Sequence, residues 1–302
     1  ADVITVMRNG AIVKTVRKDD TTIPEIVAAM IGRTPSEFYH KRETKITSTT
    51  STPLILDKVT VHGKIRDIDL TVYPGEIVGL AGLEGAGVQT VFEILFGLQG
   101  IDEGRVILPN GKSSPRNVLE AVQAGIALVP ADRRKQGVIL DQDVLSNVSL
   151  VTAGTLGKFG FLLKQKEMAA RAIKRCEALR VVMASLITPV AHLSGGNQQK
   201  VVLAKWLETD PYIILLNDPT VGVDVGAKED IYQVIRDLAV SGRIVLFSSS
   251  ELQEMVNLCD RVVVFYRGRI CGSLRGDMLN EHRLLEAINT GNVSDAHADL
   301  SS

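Results

Sequence analysis

The sequence has 302 residues, of which 45% are apolar and 23% charged, so it can bury a substantial core as one large or two small domains. A formal net charge of −1 gives no electrostatic reason to expect nucleic acid as a partner, and no apolar run approaches the length of a membrane span. The three cysteines, Cys176, Cys259 and Cys271, lack metal-ligand spacing, which indicates small buried or half-buried residues in a reducing, cytoplasmic compartment.

The first 40 residues predict a hairpin followed by a helix. Residues 3–7 and 11–16 are apolar, β-branched runs on either side of the turn signal Asn9-Gly10. Pro24 then opens a helical pattern that Gly32 closes. This unit is well formed but too small to fold alone.

The same plan recurs near the other end of the sequence. Gly10 corresponds to Gly268, an offset of 258 residues, and the same offset pairs four other positions with identical residues: Asp2 with Asp260, Val6 with Val264, Ile12 with Ile270, and Arg17 with Arg275. Chance is the alternative, since any two strand–turn–strand–helix units align through their turn glycine. We expect residues 1–40 to be the tail of a preceding copy, so that this chain is the later part of a tandem protein.

A polar, Thr/Ser-rich stretch at residues 41–53 is typical of a linker. It separates the first unit from a domain predicted over residues 54–291, and residues 292–302 are expected to be a disordered tail. The domain begins with short extended pieces at residues 54–56, 59–61 and 67–72, which predict an antiparallel sheet.

A glycine-rich loop follows the buried apolar strand at residues 77–81. This loop, residues 82–90, is called the phosphate loop below, because backbone N–H groups between a strand and a helix N-terminus converge on an anion. Its candidate nucleotide-binding residues are Gly82, Gly85, Ala86, Gly87, Val88, Gln89 and Thr90. The P-loop pattern requires Lys and then Ser or Thr where this chain has Val88 and Gln89, so Gln89 is at best a weak magnesium ligand. A tight turn without a ligand is the alternative.

A second buried strand, at residues 126–129, is followed by the basic run Arg133-Arg134-Lys135. Such a run is more often a solvated surface than a phosphate clamp. Helical patterns at residues 145–150 and 165–182 then predict a helical insertion at about residues 140–205.

Residues 193–200 read Leu-Ser-Gly-Gly-Asn-Gln-Gln-Lys and are called the signature segment below. Two glycines allow close approach to an anion, Ser194 adds a hydroxyl donor, and the following helix points its positive end at them. The segment is therefore interpreted as a phosphate-binding motif, with an ordinary serine cap and glycine turn as the alternative.

The strand at residues 212–216 ends in Asn217-Asp218, where a buried strand can deliver one group to a magnesium ion and the next to the attacking water. Asn217 is a neutral and weak metal ligand, and Asp218 is the candidate catalytic base. A further strand at residues 243–247 leads into the run Ser248-Ser249-Ser250-Glu251.

In this order, the phosphate loop, the signature segment and Asn217-Asp218-Pro219-Thr220 resemble the motifs of ABC ATPases. The resemblance covers residues 54–291 and implies an α/β, ABC-type P-loop fold with a mainly parallel core sheet, an antiparallel β subdomain and a helical subdomain. It also implies that ATP lies between two domains, where five signature residues contact the ATP of the neighbour: Ser194, Gly195, Gly196, Asn197 and Gln198. Residues 221–224, the dimer loop, would contact that neighbour through Asp224.

Several positions depart from the pattern that the resemblance implies. Ser250 stands at the position of a switch histidine, Ala131 at that of a glutamine or glutamate, and His62 near that of an adenine-stacking aromatic residue. His62 is interpreted as a surface residue. Ala131 and Ser250, together with Val88, Asn217 and Asp218, predict a degenerate nucleotide site in this domain.

More narrowly, the signature segment, residues 221–228 and residues 248–252 resemble the second ATPase domain of bacterial monosaccharide importers. This implies a membrane-associated transport ATPase, with ATP and Mg²⁺ as cofactors, at the cytoplasmic face of the membrane. The implied partners are a first ATP-binding domain on the same chain, transmembrane permease subunits and, indirectly, a periplasmic or lipoprotein solute-binding protein. The isolated chain is expected to be weakly active or inactive.

Three alternatives remain open. The chain could serve a nucleoside importer, or be a regulatory or structural domain that binds no nucleotide. A nontransport ABC protein of translation or DNA repair would carry a basic linker or a long coiled coil, and the sequence shows neither.

Overall fold

The computed structural model describes residues 2–8, 11–31, 52–155 and 165–293. The turn Asn9-Gly10, the helix end at Gly32, the linker up to residue 51 and the tail from residue 294 lie outside the described residues. At the start of the chain, β1 (Val3–Arg8) pairs antiparallel with β2 (Ala11–Arg17), and a 3-10 turn at Lys18–Asp20 leads to α1 (Ile23–Ile31).

Two sheets form the main body. The antiparallel sheet consists of β3 (Leu54–Val61), β4 (Ile65–Val72) and β6 (Glu103–Ile107), in the order β4-β3-β6. The two pieces predicted at residues 54–56 and 59–61 form the single strand β3, which has an irregular register near Lys58, a residue with φ of +50°.

The larger sheet has the order β11-β10-β5-β9-β8-β7, and only the β10–β11 pair is antiparallel. Its members are β5 (Ile77–Ala81), β7 (Ile126–Val129), β8 (Ile213–Asn217), β9 (Ile244–Ser248), β10 (Arg261–Tyr266) and β11 (Arg269–Arg275). Every residue of β5 is buried, as expected for a parallel strand covered on both faces. The loops after β5, β8 and β9 therefore meet at one edge of this sheet.

Eight helices of the described residues surround the two sheets. They are α2 (Val88–Leu95), α3 (Val118–Gln123), α4 (Val144–Thr155), α5 (Gln165–Ala178), α6 (Gly195–Leu207), α7 (Val225–Val240), α8 (Leu252–Leu258) and α9 (Glu281–Thr290). The predicted helix at 145–150 is longer, and it begins at Val144 because the Asp143 carboxylate caps it by accepting from the Ser146 N–H at 2.7 Å. The predicted helix at 165–182 is shorter, because Arg180 adopts φ of +52° and the Val181 N–H turns back to the Cys176 carbonyl.

The repeat seen in the sequence has a structural counterpart. Val3 pairs with Arg17 as Arg261 pairs with Arg275, and the register shifts after Val6 as it does after Val264. Both hairpins continue into a 3-10 turn, at Lys18–Asp20 and Gly276–Met278, and then into a helix, α1 or α9. The two units therefore share one pairing scheme at the same offset of 258 residues that relates Gly10 to Gly268.

Candidate functional site

The phosphate loop has the backbone that an anion-binding turn needs. Gly85 and Gly87 adopt φ of +80° and +119°, and Gly87 precedes the first residue of α2 with no side-chain cap. A Cβ at Gly82 would lie 2.9 Å from the Phe265 carbonyl oxygen, so that position has no room for a side chain. The loop is folded, but Val88 packs against the apolar core and offers no ammonium group to a phosphate.

The two predicted magnesium positions contact each other. The Asn217 Nδ2 group at the end of β8 donates to the Gln89 Oε1 atom in the first turn of α2, at 2.7 Å. The described residues contain no group of three or more His, Cys, Asp or Glu side chains that could hold a metal ion. Because Mg²⁺ is usually bound through carboxylates and keeps near-octahedral oxygen ligands, the residues at this position do not fit it. Thr90 is buried one residue further along α2.

The predicted base and switch positions also contact each other. One carboxylate oxygen of Asp218 accepts from the Ser250 N–H at 2.6 Å and from the Ser250 hydroxyl at 2.9 Å. The Asp218 N–H donates to the Ser248 carbonyl, and these bonds hold Asp218 at φ of +46°. They link the end of β8 to the end of β9 through one carboxylate oxygen of Asp218.

The signature segment presents the N-terminus of α6. Ser194 is exposed and caps this helix by accepting from the Asn197 backbone N–H at 3.4 Å, and it also accepts from the Asn197 Nδ2 group at 3.0 Å. Gln198 is buried, and its amide group donates to the Val190 and Leu193 carbonyls within the chain. Ser194 is thus exposed and Gly195 half-buried, whereas Gln198 holds the segment from inside.

The dimer loop packs directly against the signature segment. A Cβ at Gly196 would lie 2.4 Å from the Ala227 Cβ and 3.2 Å from the Asp224 carboxylate, so the second glycine permits this approach. Asp224 itself caps α7 by accepting from the Ala227 N–H at 3.0 Å. Val221, the first residue of the loop, and Val225, which follows it, are exposed.

Comparison with protein families matches residues 65–221 to the family described as ABC transporter. The chain belongs to this family. Solved structures agree on the fold: a nucleotide-free ATP-binding cassette of an ABC transporter has a TM-score of 0.67 and 23% identity over 80% of this chain and 99% of its own. The predicted α/β fold with its mainly parallel sheet is confirmed.

Two curated relatives carry the name ribose import ATP-binding protein RbsA. The protein of Geobacillus kaustophilus is 37% identical over 96% of this chain and 58% of its own length. The protein of Chelativorans sp. is 39% identical over 95% of this chain and 56% of its own length. The chain therefore spans little more than half the length of these ABC relatives.

Other predicted features occupy ordinary places in the ABC fold. The His62 side chain is 71% exposed and contacts the Glu103 carboxylate at 3.1 Å, which confirms that it is a surface residue. Cys176 and Cys259 are buried free thiols, as predicted, and burial raises the pKa of Cys176 to about 11. Ala131 follows β7 and is half-buried. Among the described helices, none is long and apolar enough to span a membrane.

The basic run after β7 differs from the sequence interpretation. Arg134 and Lys135 are exposed, but Arg133 is half-buried and donates to the Val221 and Gly222 carbonyls of the dimer loop, at 2.6 and 3.2 Å. Its burial lowers the pKa of the guanidinium, which stays protonated at any ordinary pH. Nothing in the run of three basic residues indicates that the first one turns inward.

Sequence reasoning also missed a buried carboxylate beside the site. Glu254 on α8 accepts from the hydroxyl groups of Thr220, Tyr232 and Ser249 and from the Lys228 ammonium group. The cluster ties the loop after β8 to α7 and α8. An acidic residue in a short helix is usually solvated, so its sequence carries no signal of this role.

Proposed function

We propose that this chain is the second nucleotide-binding domain of a tandem ATP-binding subunit in a bacterial ABC importer of a monosaccharide. Its own site is degenerate, and its signature segment completes the ATP site of the first domain. The proposal rests on the contrast between the chain's own site and its signature segment. In the chain's own site, the metal positions Gln89 and Asn217 are bonded to each other and the base position Asp218 is bonded to Ser250, whereas Ser194 is exposed at the N-terminus of α6.

The degenerate own site is argued from chemistry. Phosphoryl transfer in P-loop ATPases depends on a lysine, a metal ion and a group that orients water. Here Val88 replaces the lysine, Gln89 bonds to Asn217, and Asp218 bonds to Ser250. A metal ion at this position would require the Gln89–Asn217 bond to break, and even then the site would lack the lysine. The signature segment needs none of these groups to complete the ATP site of the first domain, since it contributes hydrogen-bond donors that are fixed in position.

The tandem arrangement is supported by the repeated hairpin. Phe265 on β10 is fully buried and packs beneath the phosphate loop, where Cβ atoms at Gly82 and Gly87 would contact it. Met7 holds the equivalent position on β1, directly after the register shift, and is 57% exposed. An exposed apolar residue at that position fits a strand that lies under the phosphate loop of a first domain. The greater length of the relatives leaves room for such a domain.

The cargo and the remaining partners follow from the relatives alone. The names of those relatives state ribose import, which supports a monosaccharide, and a nucleoside is the alternative. The chain would act with ATP at the cytoplasmic face of the membrane, against permease subunits that receive the cargo from a solute-binding protein. A regulatory domain that binds no nucleotide is the second candidate, favoured by the amide pair Gln89–Asn217 that closes the metal position.

The test compares ATP hydrolysis by this chain with that of the full-length tandem protein. We expect negligible turnover by this chain, and turnover in the tandem protein that Ser194→Arg abolishes and Asp218→Asn changes less than about twofold. Brisk turnover by this chain, lost in Asp218→Asn, would contradict the proposal. Counting bound nucleotide in the tandem protein separates the candidates, because a regulatory domain without nucleotide predicts one per chain even when both Mg²⁺ and ATP are saturating.

A further inference from the structure

We propose that Arg133 is a positioning residue that fixes the dimer loop to the signature segment, so that both meet the neighbouring ATP as one rigid surface. The effect on turnover rests on the function proposed above, whereas the effect on the loop does not. Neither the sequence motifs nor the relatives' names assign this residue a role.

The backbone of Arg133 is anchored on α6, the helix that begins in the signature segment. Arg133 begins a π-helical turn (Arg133–Gly137) that Asp132 caps by accepting from the Arg134 and Lys135 N–H groups. At the other end of the turn, the buried Lys205 ammonium group of α6 donates to the Gly137 carbonyl. A Cβ at Gly137 would lie 2.9 Å from a Val202 methyl group, so the turn lies directly on α6.

The side chain of Arg133 reaches from this anchor to the dimer loop. Nη1 donates to the Val221 carbonyl at 2.6 Å and Nη2 to the Gly222 carbonyl at 3.2 Å. Two donors of one planar group thus hold two successive carbonyls, which fixes the orientation of the loop as well as its distance. Gly222 has φ of +63°, a conformation that glycine adopts without strain.

The guanidinium also lies against the first residue of α6. A Cβ at Gly195 would be 2.7 Å from Nη2 and 3.0 Å from the Gly222 carbonyl oxygen. Because Gly195 has no side chain, the guanidinium can contact the signature segment and the dimer loop at the same time. This gives the first signature glycine a role inside the chain, besides its approach to a phosphate.

The charge of Arg133 is only weakly compensated. Its two hydrogen-bond partners are neutral carbonyls, and Nε is buried with no hydrogen-bond partner among the described residues. Desolvation of a cation is costly, so the contact is maintained by the fixed geometry of the turn and not by an ion pair. Removing the guanidinium leaves two carbonyls and a gap, and we expect the dimer loop to move away from α6.

The first experiment uses this chain and follows amide hydrogen exchange over residues 219–226. We expect about tenfold faster exchange in Arg133→Ala, and no change in Arg134→Ala, whose side chain is exposed. Arg133→Lys keeps the positive charge, but its ammonium group lacks the two planar donors with which a guanidinium holds two carbonyls. It should therefore restore only part of the protection from exchange. Equal exchange in all four proteins would overturn the proposal.

The second experiment measures steady-state ATP hydrolysis in the tandem protein. Arg133→Ala should lower kcat about tenfold with KM changed less than twofold, because a misplaced loop impairs the bound state and not nucleotide capture. Unchanged kcat in Arg133→Ala would contradict the positioning role.

Ser194→Arg separates this inference from the function on which it rests. If Ser194→Arg abolishes turnover while Arg133→Ala has wild-type kcat, the positioning role fails and the donor role of the signature segment stands. If turnover survives Ser194→Arg, the proposed function fails, and faster exchange over residues 219–226 in Arg133→Ala would still support the contact between Arg133 and the dimer loop.

Discussion

Glu254 is the most fully hydrogen-bonded buried charge beside the candidate site. Its side chain is 1% exposed, and the Tyr232 hydroxyl and Lys228 ammonium groups donate to one oxygen at 2.6 and 3.0 Å. Burial by itself raises the pKa of Glu254, but the hydrogen bonds from Ser249, Thr220, Tyr232 and Lys228 outweigh it and hold the pKa below its ordinary value. The ionised carboxylate therefore stabilises the folded state.

The variant Glu254→Gln should lower the free energy of unfolding by about 2–3 kcal/mol at pH 7, because an amide cannot accept from four donors. The matched control is Glu251→Gln, since Glu251 also contacts Lys228 but is 56% exposed, and it should cost less than about 0.5 kcal/mol. A carboxylate with a depressed pKa contributes its stability above the ordinary pKa and loses it as the pH falls. In urea unfolding, the gap between wild type and Glu254→Gln should therefore narrow below about pH 4.5; a gap that stays constant would contradict the assignment.

Single residues also show why sequence reasoning was only partly successful at the site. The positions of Gln89, Asn217 and Ser250 could be predicted, because each follows a buried strand or begins a helix. Their partners could not, since the Gln89–Asn217 and Asp218–Ser250 bonds join residues that are far apart in the chain. A side chain's rotamer and its partner are set by the packed loops together, and periodicity carries no information about them.

At the scale of elements, strand prediction worked because the parallel sheet is buried on both faces. The runs that became β5, β8 and β9 are mostly apolar, so their type could be predicted; the limits of β5 were exact, and those of β8 and β9 differed by one residue. Helix ends were less predictable. The end of α5 depends on the left-handed conformation of Arg180, a residue type with no preference for it, so the helix was predicted to continue to residue 182.

The contact between α6 and the π-helical turn has a pH-dependent component. Lys205 on α6 is buried beneath the turn, with its ammonium group 5.2 Å from the centre of the Trp206 ring, and burial lowers the pKa of Lys205 to about 8. A lysine whose folded pKa lies below its unfolded value of about 10.4 destabilises the fold while both states are charged. That cost is relieved as the pH rises from about 8 towards 10.4, where the folded chain sheds the proton first.

We therefore expect wild type to gain about 2 kcal/mol relative to Lys205→Met between pH 8 and pH 10, measured by urea unfolding at each pH. Because wild type and Lys205→Met share all their other titratable groups, the contribution of those groups cancels in the difference between the two free energies of unfolding. Lys174→Met, at an exposed position on α5, is the control and should show no such gain. A flat difference between wild type and Lys205→Met would mean that the ammonium group keeps its proton throughout this range.

At the scale of the whole molecule, the two hairpins have the same pairing but different surroundings. β10 is paired with β5 on one side and β11 on the other, so its apolar residues lie inside a six-stranded sheet. β1 pairs with β2 in a two-stranded sheet, which leaves Val3, Met7 and Ile12 exposed. Isolated hairpins are marginally stable in water, and an exposed apolar strand is usually covered in the complete protein.

The equivalent residues Met7 and Phe265 test what covers β1. In this chain, Phe265→Ala should cost about 3–5 kcal/mol because it removes a buried ring, whereas Met7→Ala should change the free energy of unfolding by less than about 0.5 kcal/mol. In the full-length tandem protein, Met7→Ala should destabilise the first domain by about 2–4 kcal/mol, since the methionine would then lie beneath its phosphate loop. The calorimetric transition that ATP shifts upward identifies that domain.

Val240→Ala is the control for both proteins, because Val240 is an exposed apolar residue at the end of α7 that has no counterpart in the repeat. It should leave every transition unchanged. If Met7→Ala is as neutral as Val240→Ala in the tandem protein, β1 does not complete the sheet of a first domain, and the repeat would reflect only a shared hairpin design. If Met7→Ala lowers the ATP-sensitive transition alone, the exposed side of β1 belongs to the domain that supplies the lysine and carboxylate this chain lacks.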